Sequence, residues 1–297
     1  MNNKHLPLIV NFTPTGMIPT KSMTPHVPIS VTEIIEDVHE AVEVGITMVH
    51  LHARDPKSGE PTYRAEIYAE IVDGIRSFSD ELIICVSLSG RTFKEFHERS
   101  EVLQLDGDVK PDMGSLTLSS VNFNMTASLN SPEMIQRLAA ELKKRGILAE
   151  LEAFDSGMIN YAWYLHKKGL LEPPFYFNLL FGNIACAQAD LLHAGIMIRD
   201  LPENSYWSLA GIGDYQLMMN SIAIGAGGGV RVGLEDNIWY DQGRTQLARN
   251  GDLIRRIRKM AEANERRIMP PAELRQRLNL ENGKGQYGAK QSKSIQA

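Results

Sequence analysis

Two histidines separated by one residue, His50 and His52, lie in the run TMVHLHAR at 47–54. Successive side chains of a strand point to opposite faces. Val49, Leu51 and Ala53 therefore share one face, and Met48, His50, His52 and Arg54 share the other. Two imidazoles on one face can grip a single divalent ion. A hydrogen-bonded histidine pair is the alternative, but two ring nitrogens in an apolar interior are costly without a partner. A second constellation, GGGVRVGLEDN at 227–237, places Arg231, Gly233 and Glu235 on one face at the same spacing, with Asp236 next in the chain. An arginine pointing inward must meet a carboxylate or a bound anion, and Asp236 is a local candidate. Glu235 then completes a set of two histidines and one glutamate. Such a set suits a catalytic zinc or another divalent transition metal and leaves positions open for a substrate. A salt-bridged Arg231 that merely closes the fold is the competing reading.

These residues need elements that bring them to one place. Short β-rich runs alternate with amphipathic helical stretches along the chain, and eight strands are expected at 6–12, 47–52, 82–88, 112–117, 147–153, 175–181, 205–210 and 229–234. Two helix starts are legible: Ser30 with Glu33 as a capping box, and Ser131 before Pro132 at the first helical position. Eight βα units in under 300 residues predict a single-domain (β/α)8 TIM barrel over 1–262. The last stretch, 263–297, is polar and rich in glycine and lysine, and reads as a C-terminal extension that is disordered or reaches another subunit. Barrel chemistry sits at the carboxyl ends of the strands, where the two constellations fall. Ser87 and Ser89 share a face of SLSG with Gly90 next, Ser115 ends the fourth strand, and Glu150 and Glu152 share a face of the fifth. Turn chemistry explains the serines and the glycine equally well. The acidic pair implies a nearby cation or a raised pKa.

Composition narrows the function classes. Hydrophobic residues make up 43% and charged residues 23%, so the chain is globular. A net charge of -5, with no basic run carrying aromatics before the last thirty residues, argues against nucleic acid as a partner. No apolar stretch reaches the length of a bilayer span, and no signal peptide is legible, so a cytoplasmic protein without a membrane partner is expected. Cys85 and Cys186 lack CxxC spacing.

Taken together, TG at 15–16, VHLHARDP at 49–56, SLSG at 87–90, EAFDSGM at 152–158, AGIG at 210–213 and GGGVRVGLEDN at 227–237 resemble the β-keto acid cleavage enzymes, over about residues 6–262. The resemblance implies a zinc-dependent acyltransferase that converts a β-keto acid and acetyl-CoA into acetoacetate and a new acyl-CoA. It implies zinc on His50, His52 and Glu235, proton abstraction by Asp236 with Arg231, and substrate contacts at Ser87, Gly90 and Ser115. It also implies a homo-oligomer, by family habit a tetramer. Ile18 stands where the family's prototype has a glutamate for a substrate ammonium group, which disfavours an amino substrate. Arg91, which follows SLSG, reads as a surface residue, with a second substrate carboxylate as its partner if it turns inward. The rival enzyme class is the metal-dependent amidohydrolases. They carry HxH on their first strand and need later strand-end histidines, whereas His166 and His193 here fall in helical stretches. Dependence of turnover on CoA separates the two. A barrel kept as a ligand sensor is a third reading, and it would bind the keto acid without consuming acetyl-CoA.

Overall fold

The structure is a computed structural model that describes residues 6–290. Among the described residues eight parallel strands close into a barrel: β1 (Val10–Phe12), β2 (Met48–Leu51), β3 (Ile83–Val86), β4 (Met113–Thr117), β5 (Leu148–Ala153), β6 (Phe175–Phe181), β7 (Ser205–Gly211) and β8 (Gly229–Val232). Each pairs with the next, and β8 closes onto β1 with Asn11 opposite Arg231. All eight strands expected from the alternating pattern are present, six of them one to four residues shorter than expected. A two-stranded ribbon, Val121–Asn122 with Ala127–Ser128, stands above the mouth after β4.

Local chemistry sets the helix starts. Ser30 Oγ accepts from the Glu33 amide at 3.2 Å while Glu33 Oε2 accepts from the Ser30 amide at 3.0 Å, so the capping box is closed. Ser131 caps the helix Pro132–Arg145 by accepting from the Met134 amide at 3.1 Å. Among the described residues no helix is long and apolar enough to cross a membrane.

The strands divide the interior into two storeys. Their outward faces, with Val49, Leu51, Ala53, Ile84, Leu151 and Val232 among them, pack against the helices in the main apolar core. The lower interior is a separate apolar cluster of Ile9, Met48, Ile83, Cys85, Met113 and Tyr176. Residues 264–290 belong to the stretch expected to form an extension, and they lie across the floor of the barrel beneath this cluster. Met269, Leu274, Leu278 and Leu280 are buried in it. The Thr47 hydroxyl donates to the Met269 carbonyl at 2.7 Å, and Leu8 exchanges backbone hydrogen bonds with Arg267 and Met269. The remainder of that stretch, 291–297, lies outside the described residues.

An ion cluster fixes the floor. Asp112, with no exposed surface, accepts from Arg275 Nη1 and Nη2 at 2.8 Å each and from Arg76 Nη2 at 2.8 Å. Burial opposes its ionisation, but the two guanidinium groups hold the carboxyl below its usual range. Removing the one anion of a buried cluster leaves its cations without compensation. Asp112→Ala is therefore expected to cost about 3–5 kcal/mol of stability, read as a lowered urea-unfolding midpoint. An unshifted midpoint would show that the cluster contributes no net stability.

Candidate active site at the barrel mouth

The upper storey is polar and buried. His50 projects inward from β2 and His52 from just beyond its end, and their Nε2 atoms face each other at 3.2 Å. Behind His50, Glu150 Oε2 lies 2.6 Å from Nδ1. An ionised carboxylate cannot donate, so the Nδ1 proton belongs to the histidine and Nε2 is left to face the mouth. Burial opposes charge on His50, yet Glu150 and Glu235 outweigh it and raise its pKa to about 9. Burial also favours protonation of Glu150, but His50 and Arg231 bring its carboxyl down to about 2. His52 moves the other way, its pKa lowered mainly by burial. Glu150 is further held by Asn11 Nδ2 at 2.7 Å and by the Cys85 thiol at 3.2 Å.

Arg231, on β8, joins the opposite wall to this group. Its Nη2 donates to Glu235 Oε1 at 2.6 Å, its Nε to Asp236 Oδ2 at 3.0 Å and its Nη1 to Glu152 Oε1 at 3.3 Å. Glu235 Oε1 lies 3.2 Å from His52 Nε2, while Glu235 Oε2 is buried without a partner among the described residues. The two neighbouring acids are pulled apart. Against its burial, Glu235 is driven well below the ordinary carboxylate range by Arg231 and the two histidines. Asp236 is raised by burial and by Glu235, with Arg231 opposing.

Backbone positions make room for this crowding. At Gly16, in the TG turn, φ is +64° and a Cβ would come within 2.5 Å of Glu235 Cγ, so only glycine lets that side chain reach inward. At Gly233 a Cβ would lie 2.0 Å from the Thr13 carbonyl oxygen, which ties β8 closely to β1.

The donor geometry suits a metal ion. One ligand atom each from His50, His52 and Glu235 lie within 4.8 Å of one another, and the unpartnered Glu235 Oε2 is a further free oxygen beside them. Two imidazole nitrogens and a carboxylate fit zinc and similar divalent cations.

A cavity of about 740 Å³ opens above, lined by His52, Ser87, Arg231, Glu235 and Asp236 of the expected set. Gly90 and Ser115 stand behind its wall. Ser115 Oγ accepts from the Leu88 amide at 3.1 Å, and a Cβ at Gly90 would lie 2.3 Å from the Leu129 carbonyl oxygen. Arg91, expected at the surface, lines the cavity instead, its guanidinium 3.7 Å from the centre of the Phe123 ring. Ile18 and Asp214 line it too, Asp214 paired with Arg244. Sequence reasoning did not single out Asn11, Thr13 or Cys85. Asn11 was open to detection as a polar residue at an inward β1 position, between the outward-facing Val10 and Phe12. His166 and His193 lie in helices, on Leu171 and Asp190 respectively.

A family model described as beta-keto acid cleavage enzyme matches residues 7–280. The 3-keto-5-aminohexanoate cleavage enzyme of Fusobacterium nucleatum is 34% identical over 92% of this chain and 98% of its own length. The 3-oxoadipate:acetyl-CoA acetyltransferase of Cupriavidus necator is 34% identical over 92% and 95%, and the 3-dehydrocarnitine:acetyl-CoA trimethylamine transferase of Rhizobium meliloti is 31% identical over 90% and 94%. Among solved structures, ObcA in ternary complex with a C4-CoA adduct and oxalate superposes with a TM-score of 0.75 at 21% identity, covering 86% of this chain and 68% of that one, a likeness of fold.

Cys85, His50 and Glu150 also form a close trio, which raises a thiol nucleophile as a rival use of the site. The thiol is fully buried below the mouth, and burial with Glu150 pushes it well above its ordinary range. Thiol titration of the native protein is expected to modify Cys186 alone, with Cys85 reacting only after denaturation. Rapid labelling of Cys85 in the folded enzyme would reinstate it as a nucleophile.

Proposed function

Because the chain belongs to the beta-keto acid cleavage enzyme family, we propose that it is a zinc-dependent acyltransferase, converting a β-keto acid and acetyl-CoA into acetoacetate and a new acyl-CoA. The observation that carries this reading is the convergence, at the base of one cavity, of three ligand atoms and an arginine-held aspartate. The Cupriavidus and Rhizobium relatives, which carry acetyl-CoA in their names, support the choice of co-substrate.

His50, His52 and Glu235 would hold the ion. Charge accounting favours a dication there. Glu150 is matched by His50, whereas Glu152, Glu235 and Asp236 crowd around one buried guanidinium, so three carboxylates meet one cation and an excess of two negative charges remains. When bound, zinc supplies Lewis acidity toward the ketone and carboxylate oxygens of the substrate and so acidifies the carbon between them.

The chain's own residues supply the rest. Glu150 fixes the His50 ring through Nδ1. Asp236 takes the proton from C2, oriented by Arg231 Nε at 3.0 Å. The C2 carbanion would add to the acetyl carbonyl carbon and expel CoA as thiolate, and the thiolate would add to the former ketone carbon C3. Scission of the C2–C3 bond would release acyl-CoA and leave a C2 carbanion that takes the proton back from Asp236 to give acetoacetate. Ser87 offers a hydroxyl from the cavity wall, while Ser115 and Gly90 set the position of the loop that carries it. Ile18 presents a hydrocarbon surface to the substrate chain, which disfavours an ammonium group there.

The test is a panel of β-keto acids assayed with acetyl-CoA, in which acetoacetate and acyl-CoA must appear in equal amounts and only with both substrates present. Product formation without acetyl-CoA would instead place the chemistry with metal-dependent hydrolases. His52→Ala is expected to abolish stoichiometric zinc and turnover with the circular dichroism spectrum unchanged, and full zinc with full activity in this variant would sink the ligand assignment. Asp236→Asn should retain zinc and keto acid binding but slow deuterium exchange at C2 by about 10²–10⁴-fold, the usual worth of a general base. Exchange at the wild-type rate would remove Asp236 from that role.

A further inference from the structure

Three arginines line the mouth cavity, and they differ in what they hold. Arg231 is bound to Glu152, Glu235 and Asp236, and Arg244 to Asp214, whereas Arg91 forms no ion pair among the described residues. Its guanidinium lies on the Phe123 ring, 3.7 Å from the centroid. That contact fixes the plane of the group without using its in-plane N–H donors.

The backbone beneath Arg91 is pinned. The Gly90 carbonyl accepts from the Leu129 amide at 3.1 Å and from Lys94 Nζ at 2.8 Å, and the Arg91 carbonyl accepts from Lys94 Nζ at 2.8 Å. Close approach of Leu129, which only a glycine at position 90 permits, draws in the ribbon that carries Phe123. The charged head is thereby placed in advance inside the cavity. Burial weakens its hold on its proton, and the opposing fields are those of Glu235, Glu152 and Asp236, the acids of the barrel mouth. A partly desolvated guanidinium without a carboxylate is an unsettled cost in the free protein, and it is relieved by whatever anion fills the cavity.

From this geometry we propose that Arg91 is a specificity residue that pairs with a second, distal carboxylate of the substrate, so that the preferred substrates are β-keto acids with a carboxylate at each end. The inference rests on the acyl-transfer reading above. The carboxylate next to the ketone would sit at the metal site, and the chain beyond C3 would extend into the cavity that Ile18 and Arg91 both line. Arg91 shares its cavity with Glu152, Glu235 and Asp236, which favours the acyl substrate as its partner over the diphosphate of CoA at the far end of the pantetheine arm.

The experiment uses the full-length zinc-loaded enzyme and two acids of equal chain length, the dianion of 3-oxohexanedioic acid and the monoanion of 3-oxohexanoic acid. Binding is measured by calorimetry without acetyl-CoA, and kcat/KM with it. The dicarboxylate is expected to bind about 10- to 100-fold more tightly, the worth of a hydrogen bond to a charged group. Arg91→Ala should erase that ratio, chiefly through KM, and Arg91→Lys should restore part of it. Wild-type enzyme that fails to distinguish the acids overturns the proposal, as does an Arg91→Ala variant that keeps the ratio or raises the KM for acetyl-CoA instead. If the dicarboxylate binds selectively yet neither acid is turned over, the acyl-transfer reading fails while the role of Arg91 stands. If the monocarboxylate is turned over and the dicarboxylate is not preferred, only the present inference fails.

Discussion

The upper half of this barrel depends on one buried guanidinium. Arg231 is almost fully removed from water, and such a charge is tolerated only when its donors are filled. Glu152, Glu235 and Asp236 fill them from two sides of the barrel. The requirement is mutual, because each of those carboxylates would pay a similar penalty if left alone in the same place. A network of this kind is poor evidence for stability, since an apolar layer of equal volume would hold the barrel at less cost. Its presence where other barrels stack branched aliphatics therefore points to chemistry.

The constraint spreads outward through the backbone. Glu235 reaches its place only because Gly16 has no side chain, and β8 meets Thr13 closely only because residue 233 is glycine. Below, the barrel is closed by apolar packing and by the Asp112 cluster, which together fasten residues 264–290 across the floor. The two storeys divide the work. An apolar, tightly bound floor gives the mouth a rigid base, and the polar layer is free to hold charge in arrangements that would be too costly on a yielding scaffold.

The period-two alternation around His50 and His52 made both the strand and its inward face legible, and the RxGxED spacing did the same for β8. Those signals are local, so they survive in the chain. What could not be read is what depends on distant partners. Polar composition hides the floor segment, because its buried Leu274, Leu278 and Leu280 are spaced among charged residues, and the partner of Arg275 lies 163 positions away. Arg91 has the same character. Its local context is an ordinary strand-end turn, and its inward direction is set by Phe123, on a ribbon that short propensity arguments do not detect. Ser115 and Gly90 were legible as strand-end residues, but whether such a residue meets a ligand or a neighbouring loop is decided in three dimensions.

The adjacent acids at the end of β8 show why the layout takes this form. Glu235 and Asp236 are neighbours in the chain and share one arginine, yet the first lies against two imidazoles and the second against the Thr13 hydroxyl at 3.5 Å. A carboxylate surrounded by cationic partners stays ionised and makes a good ligand. One set beside another anion and cut off from water binds a proton more readily. One strand end thus supplies an acid suited to holding an ion and an acid suited to accepting a proton, and the guanidinium between them holds both at the wall of one cavity.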